Sequence, residues 1–216
     1  MPKTHVFDEN ANDYDAWFDR NQQAYKSELE AVRQLLPRGG KGLEIGVGTG
    51  RFAVPLGVSL GVDPSPVMSK AAAGRGIKVV LGVGENLPYK EGSIDFVLMV
   101  TTVCFLDDVA GTLREGNRVL REGGYILIGF IDRASSLGAN YERRKQHSLF
   151  YRKAKFLSSD ELVSHLKQAG FRDFLFRQTL FGDLGGMEQP EPVKPGHGKG
   201  LFVIVRAAKA ARPKRE

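Results

Sequence analysis

The residues best suited to chemistry begin at Glu44, in the run Glu44-Ile-Gly46-Val-Gly48-Thr-Gly50, which sets three glycines at alternate positions. Glycine lets the backbone turn sharply and approach a ligand closely, and a helix N-terminus beyond such a loop aims N–H groups at it. The dinucleotide fingerprint G-x-G-x-x-G would need glycines at 46, 48 and 51, but position 51 is Arg51. A second carboxylate, Asp63, sits in Gly-Val-Asp-Pro-Ser, where it can accept two hydroxyl groups or cap a turn beside Pro64. Other reactive types are sparse. His5, His147, His165 and His197 show no close metal-ligand spacing, so no metal is expected. The single cysteine, Cys104, excludes an internal disulfide and, flanked by apolar residues, reads as core.

These residues need elements to position them. Leu29, Val32, Leu35 and Leu36 form one stripe of an amphipathic helix over 27–36, stopped by Pro37 and Gly39-Gly40. Strands and helices then alternate. Strands are expected at 43–45, 58–62, 78–81, 94–100 and 125–130. A brief helix falls near 49–56, with only Gly57 between its Ala53–Leu56 end and the second strand. Ser65-Pro66 opens a helix that Gly74 closes, and Asp108 caps another that ends at Gly123-Gly124. Residues 131–157 are polar, basic and aromatic, too long for a plain loop, and read as an inserted helical segment. Ser158-x-x-Glu161 is a capping box for a helix stopped at Gly170. Two last strands, 171–181 and 201–207, have no helical period between them and should pair antiparallel. The expected fold is α/β: a doubly wound, mostly parallel seven-stranded sheet with an antiparallel terminal hairpin. One domain spans 1–207, with residues 1–37 as a helical cap and 131–157 as a lid, followed by a basic tail at 208–216.

The glycine run, in its strand–loop–helix setting, resembles the E/D-x-G-x-G-x-G signature of the class I S-adenosylmethionine-dependent methyltransferases, with their Rossmann-like fold. The pattern extends over about residues 5–207 and is most similar to the ubiquinone/menaquinone-biosynthesis-like branch that acts on small molecules. The resemblance implies S-adenosylmethionine as cofactor. It gives Glu44 the task of orienting the loop or the cofactor ammonium, and Gly46, Gly48 and Gly50 the task of making room. Asp63 takes the ribose hydroxyls, and Met68 packs on adenine or in the core. Gly84-Glu85-Asn86-Leu87-Pro88 is similar to the family's A-E-x-L-P adenine loop, with glycine for alanine and Val83 where aspartate is common. That departure leaves adenine recognition to Gly84, Glu85 and backbone groups. Val100 and Thr101 would hold the methionine end through their main chains, and Phe105 would line the pocket. Arg118-Val-Leu-Arg-Glu-Gly-Gly124 resembles the family's R-V-L-K-P-G-G helix exit. Phe7-Asp8 through Tyr14-Asp15-x-Trp17-Phe18 resembles its F-D-x-x-A-x-x-Y-D-x-W entry, with Tyr14 covering the cofactor.

The activity implied is methyl transfer to a small-molecule acceptor. An RNA or protein methyltransferase, a non-catalytic cofactor-binding module and an NAD-dependent oxidoreductase remain alternatives. Acceptor contacts are expected from Phe105, Asp132, Tyr141 and His147; Phe150 and Tyr151 also lie in the lid segment. No catalytic residue is nominated, because the cofactor carries its own activation and a general base is needed only for a protonated nucleophile. Nucleic acid is an unlikely partner: the N-P-P-Y turn is absent after the fourth strand, Cys104 lacks a preceding proline, and half of the +6 formal charge lies in residues 209–216. The basic run of Arg143, Arg144, Lys145, Arg152, Lys153 and Lys155 could steer an anionic substrate, but reads rather as an outer helix face. No apolar stretch approaches the roughly 20 residues of a membrane span, and the first residues lack a secretory apolar core, so cytoplasm is expected.

Overall fold

The computed structural model describes residues 4–211. Three helices come first: α1 (His5–Glu9), α2 (Ala11–Arg20) and α3 (Gln22–Arg33). The alternating section holds β1 (Gly42–Ile45), α4 (Ala53–Leu56), β2 (Leu60–Asp63), α5 (Pro66–Gly74), β3 (Lys78–Leu81), β4 (Ile94–Val100), α6 (Val109–Val119) and β5 (Leu120–Ile131). The last section holds α7 (Ser136–Arg144), α8 (Ser159–Gln168), β6 (Phe171–Thr179), β7 (Lys194–Pro195) and β8 (Phe202–Lys209). Single 3-10 turns fall at Val103–Phe105, Lys145–His147 and Tyr151–Lys153.

The caps form as their residue types require. Ser65 accepts from the Met68 N–H with Pro66 behind it, and Asp108 accepts from Gly111. Ser158 and Glu161 satisfy each other's backbone N–H reciprocally. Four-residue α4 ends on left-handed Gly57 (φ 70°), which turns the chain straight into β2.

The sheet has the order β3-β2-β1-β4-β5-β8-β6-β7. Neighbours from β3 to β5 pair parallel, whereas β8 runs antiparallel to both β5 and β6. The expected doubly wound sheet with an antiparallel terminal pair is therefore present. It has eight strands rather than seven, because Lys194 and Pro195 add a short edge strand against Gln178 and Arg177. Strand alternation divides the core. Leu98, Val100, Leu127 and Ile204 face the side covered by Val32 of α3 and by Leu35 just beyond its end. Val97, Met99, Ile128 and Val205 face Leu113 of α6 and Leu162 and Leu166 of α8. The sheet is buried on both faces, as parallel strands demand.

Element ends differ where local signals are weak. The third helix spans Gln22–Arg33, so it begins five residues before the expected start at 27 and ends three before the expected end at 36. Helix α6 stops at Val119, not at the glycine pair, because Leu120 pairs with Ile94 and starts β5 early. Strand β8 continues into the expected tail: Lys209 is buried, and its Nζ donates to the Leu120 carbonyl at 2.6 Å. Residues 212–216, the rest of that tail, lie outside the described residues.

Candidate functional site

The strand order reverses between β1 and β4, and an open α/β sheet binds ligands where this happens. The glycine loop leaves β1 there. The N–H groups of Gly46 and Val47 both donate to the Val62 carbonyl, and Gly48 N–H donates to Asp63 Oδ2 at 2.8 Å. All three glycines have positive φ, of 69°, 53° and 84°. A Cβ at Gly46 would lie 2.3 Å from Thr102 Cγ2, and one at Gly50 would lie 2.5 Å from Ile77 Cδ1. Space at these two positions is thus taken by the protein's own side chains. At Gly48 that direction is open: its Cβ would meet nothing closer than the Tyr14 hydroxyl at 3.4 Å.

A clamp holds α2 on this loop. Asp15 accepts from Thr49 Oγ1 (2.7 Å), Arg51 Nη2 (2.6 Å) and Arg75 Nη2 (2.6 Å), while Arg51 also binds Asp19. Burial pushes the Asp15 carboxyl up, but these hydrogen bonds overcome it and hold it well below the usual carboxylate range. Arg51, the residue that breaks the dinucleotide spacing, is therefore the pivot between cap and loop.

A cavity of about 440 Å³ opens beside the loop. Its floor is the strand ends: Gly46 and Gly48, Asp63 to Ser65, Gly82 to Glu85, and Val100 to Thr102. Met68 closes one side. Its roof joins two distant segments. Phe7 of α1 stacks on Phe150 (centroids 5.5 Å apart) and meets Phe105 edge-on at 5.2 Å, and Phe105 stacks on Tyr151 at 5.8 Å. Tyr14 meets both Phe7 and Phe150 edge-on. Thr101, at the floor, has a left-handed backbone (φ 51°), a strained state that turns the chain away from β4.

Of the residues singled out in sequence, Tyr14, Gly46, Gly48, Asp63, Met68, Gly84, Glu85, Val100, Thr101 and Phe105 line this cavity. Gly50 lies behind the loop, and Glu44 beneath it, 2 % exposed. Asp132, Tyr141 and His147 do not line it. Asp132 is fully buried and accepts from Ala134 N–H and from the N–H and hydroxyl of Ser159, so it ties β5 to α8. Tyr141 packs edge-on behind Tyr151, and His147 is exposed on its 3-10 turn. The basic run likewise stays outside: Arg143, Arg144, Arg152, Lys153 and Lys155 are exposed, and Lys145 pairs with Glu142.

Sequence reasoning passed over Glu28. It is 8 % exposed, lines the cavity and makes no hydrogen bond or ion pair with any described residue. Desolvation pushes its carboxyl up to about 8. A signal existed: Glu28 precedes Val32 and Leu35 at the i+4 and i+7 spacing of the buried stripe, where a carboxylate is out of place.

The residues fit an adenosyl amino acid. Glu44 Oε2 is buried without a partner, and burial together with Asp63 raises its pKa well above the ordinary range. Such an oxygen at the loop base suits a cationic ammonium. Each Asp63 oxygen accepts one backbone N–H, from Gly48 or Ser65, which leaves a lone pair on each for a hydroxyl. Comparison with known proteins agrees. A family described as methyltransferase domain matches residues 43–128. A solved S-adenosylmethionine-dependent methyltransferase from Thermotoga maritima, described as a possible histamine N-methyltransferase, is 49 % identical, with a TM-score of 0.93 over 95 % of this chain and 99 % of that one. The chain belongs to the S-adenosylmethionine-dependent methyltransferases, and S-adenosylmethionine is its cofactor. Among individual relatives, an uncharacterised protein of Methanocaldococcus jannaschii is 48 % identical over 204 residues, which are 94 % of this chain and 98 % of that one. A demethylmenaquinone methyltransferase of Roseiflexus castenholzii is 29 % identical over 178 residues, covering 68 % of this chain and 74 % of that one.

Proposed function

We propose that this methyltransferase acts on a small-molecule acceptor held in the roofed half of the cavity, and that it works in the cytoplasm. The observation that carries the reading is the roof: Phe7, Tyr14, Phe150 and Tyr151 converge from the cap and the inserted segment and cover the strand ends. An acceptor reaching the site must fit beneath these rings, which suits a small molecule better than a folded RNA or protein. The Thermotoga relative, a possible histamine N-methyltransferase, also favours a small acceptor. No helix among the described residues is long and apolar enough to cross a membrane.

Asp63 takes the ribose hydroxyls, Glu44 takes the ammonium, and Met68 with Val83 flanks adenine beside Gly84 and Glu85. Val100 and Thr101 hold the methionine end. Arg118 keeps the adenine loop in place, since its Nη atoms donate to the Leu87 carbonyl at 3.0 Å and the Tyr89 carbonyl at 2.8 Å. The cofactor supplies a methyl group already activated on a sulfonium. What the chain must add is alignment and exclusion of water, and the aromatic rings around Tyr14 do both while favouring positive charge.

Calorimetry with S-adenosylhomocysteine tests the reading. Asp63→Ala is expected to weaken binding at least about tenfold, or about 1.4 kcal/mol. Unchanged affinity in that variant removes the ribose assignment, and NAD binding without S-adenosylhomocysteine binding overturns the cofactor site altogether.

A further inference from the structure

The charge of the cavity is opposite to that of the protein. The chain carries +6, yet no lysine, arginine or histidine lines the cavity among the described residues. Five carboxylates do: Glu28, Asp63, Glu85, Asp107 and Asp108. Four belong to the strand-end floor and mouth. Asp63 is engaged by Gly48 and Ser65, Asp108 caps α6, and Glu85 accepts from the Asp108 N–H. Glu28 stands apart: it comes from α3, is 8 % exposed, and has its little remaining surface on the cavity with no partner there.

A buried carboxylate with no counter-ion costs several kcal/mol unless a ligand supplies one. The fold keeps this one among rings, with Tyr14, Trp17, Phe18 and Tyr151 on the same wall system. Aromatic faces and a carboxylate together recognise one chemistry, a desolvated organic cation. We propose that Glu28 is the acceptor-binding residue and that the acceptor is a small primary or secondary amine, bound as its ammonium by the Glu28 carboxylate. This deepens the methyltransferase reading and rests on it.

The amine must lose a proton before its lone pair is free for the methyl group. Glu28 is placed to take it: the N–H bond breaks, a carboxyl O–H bond forms, and the neutral amine stays against the rings. Burial holds the Glu28 carboxyl up at about 8, closer to an ammonium than a solvated glutamate would be. The titratable groups whose fields reach Glu28 are Tyr14 on α2, Tyr25 on α3, Tyr141 on α7 and Tyr151 on the last 3-10 turn, all raised chiefly by burial and so neutral near pH 8. Asp63 at the end of β2 and Glu44, buried on β1 beneath the glycine loop, are raised as well.

The experiment is calorimetry on the full chain saturated with S-adenosylhomocysteine. The probes are benzylamine, 2-phenylethylamine and n-butylamine, each matched with the alcohol and the carboxylate of the same skeleton. Wild type should bind at least one amine about tenfold more tightly than its alcohol, and no carboxylate. Glu28→Gln should abolish that preference while shifting S-adenosylhomocysteine affinity less than about twofold, and Glu28→Asp should restore part of it. Thermal melting of each variant separates loss of the site from loss of the fold. A wild type that binds S-adenosylhomocysteine but prefers the alcohols or carboxylates, or none of the amines, overturns the Glu28 proposal and leaves the methyltransferase reading standing. A Glu28→Gln variant that loses S-adenosylhomocysteine as severely as the amine overturns it too, because Glu28 then serves the cofactor. Failure of wild type to bind S-adenosylhomocysteine at all overturns both.

Discussion

At the scale of the residue, the cavity and the loop beside it hold carboxylates in three states of satisfaction. Asp63 accepts one backbone N–H on each oxygen and keeps spare lone pairs, Glu44 has one buried orphan oxygen, and Glu28 has no partner. The last is a stability cost with a definite sign. The Glu28 pKa is raised from 4.5 to about 8 on folding, so its contribution is fully present below about pH 4.5 and is lost as pH rises through 8. At pH 7 the loss is on the order of 3 kcal/mol. Glu28→Gln, which cannot ionise, should therefore melt roughly 10 °C above wild type at pH 8.5 and close to it at pH 4.5. Scanning calorimetry at the two pH values checks this, and equal melting differences at both would refute it. Of the residues that line the cavity, Gly48, Asp63, Tyr14 and Phe105 were legible because each lies in or beside a recognisable local motif. Asp132 was misread for the converse reason. Its position after β5 suggested a ligand contact, but its side chain turns to Ser159, a partner 27 positions away.

At the scale of the element, the N-terminal helices are fastened to the site by charge as well as by packing. Asp15 joins α2 to the glycine loop through Thr49 and Arg51 and to the end of α5 through Arg75. Asp15→Ala leaves two guanidinium groups without their shared acceptor. Hydrogen exchange over residues 5–20 should then quicken about tenfold, with S-adenosylhomocysteine affinity falling by roughly fivefold. Mass-spectrometric exchange would show it, and unchanged protection would mean that packing alone holds the cap. The pH sign is opposite to that of Glu28. The folded Asp15 value is depressed, so the clamp's contribution is present above the unfolded carboxylate range and is lost as pH falls below it. The helices at Ser65, Asp108 and Ser158 were legible from their caps, which are local. The ends of α6 and β5 were not, since pairing of Leu120 with Ile94 across the sheet overrides the glycine stop.

At the scale of the whole molecule, cap, inserted segment and strand ends meet at one cavity, so ligand binding should stabilise the fold as a unit. S-adenosylhomocysteine at about 100 times its Kd should add about 2.7 kcal/mol, raising the melting temperature by roughly 5–10 °C. Differential scanning calorimetry with and without ligand is the check, and a shift under about 2 °C would argue that the cavity does not bind it. The net charge of +6 gives no hint of this site, because basic residues of the inserted segment face outward while five carboxylates from other segments line the cavity.

The sequence alone determined the class of fold, the run of strands and helices, and the cofactor loop. These follow from periodicity, caps and glycine spacing, which act over a few residues. Tertiary structure decided that β8 inserts between β5 and β6, that Phe150 reaches Phe7, and that Glu28 looks into the cavity rather than at water. Each of those joins residues far apart in the chain, and burial, not local preference, selects which of them come together.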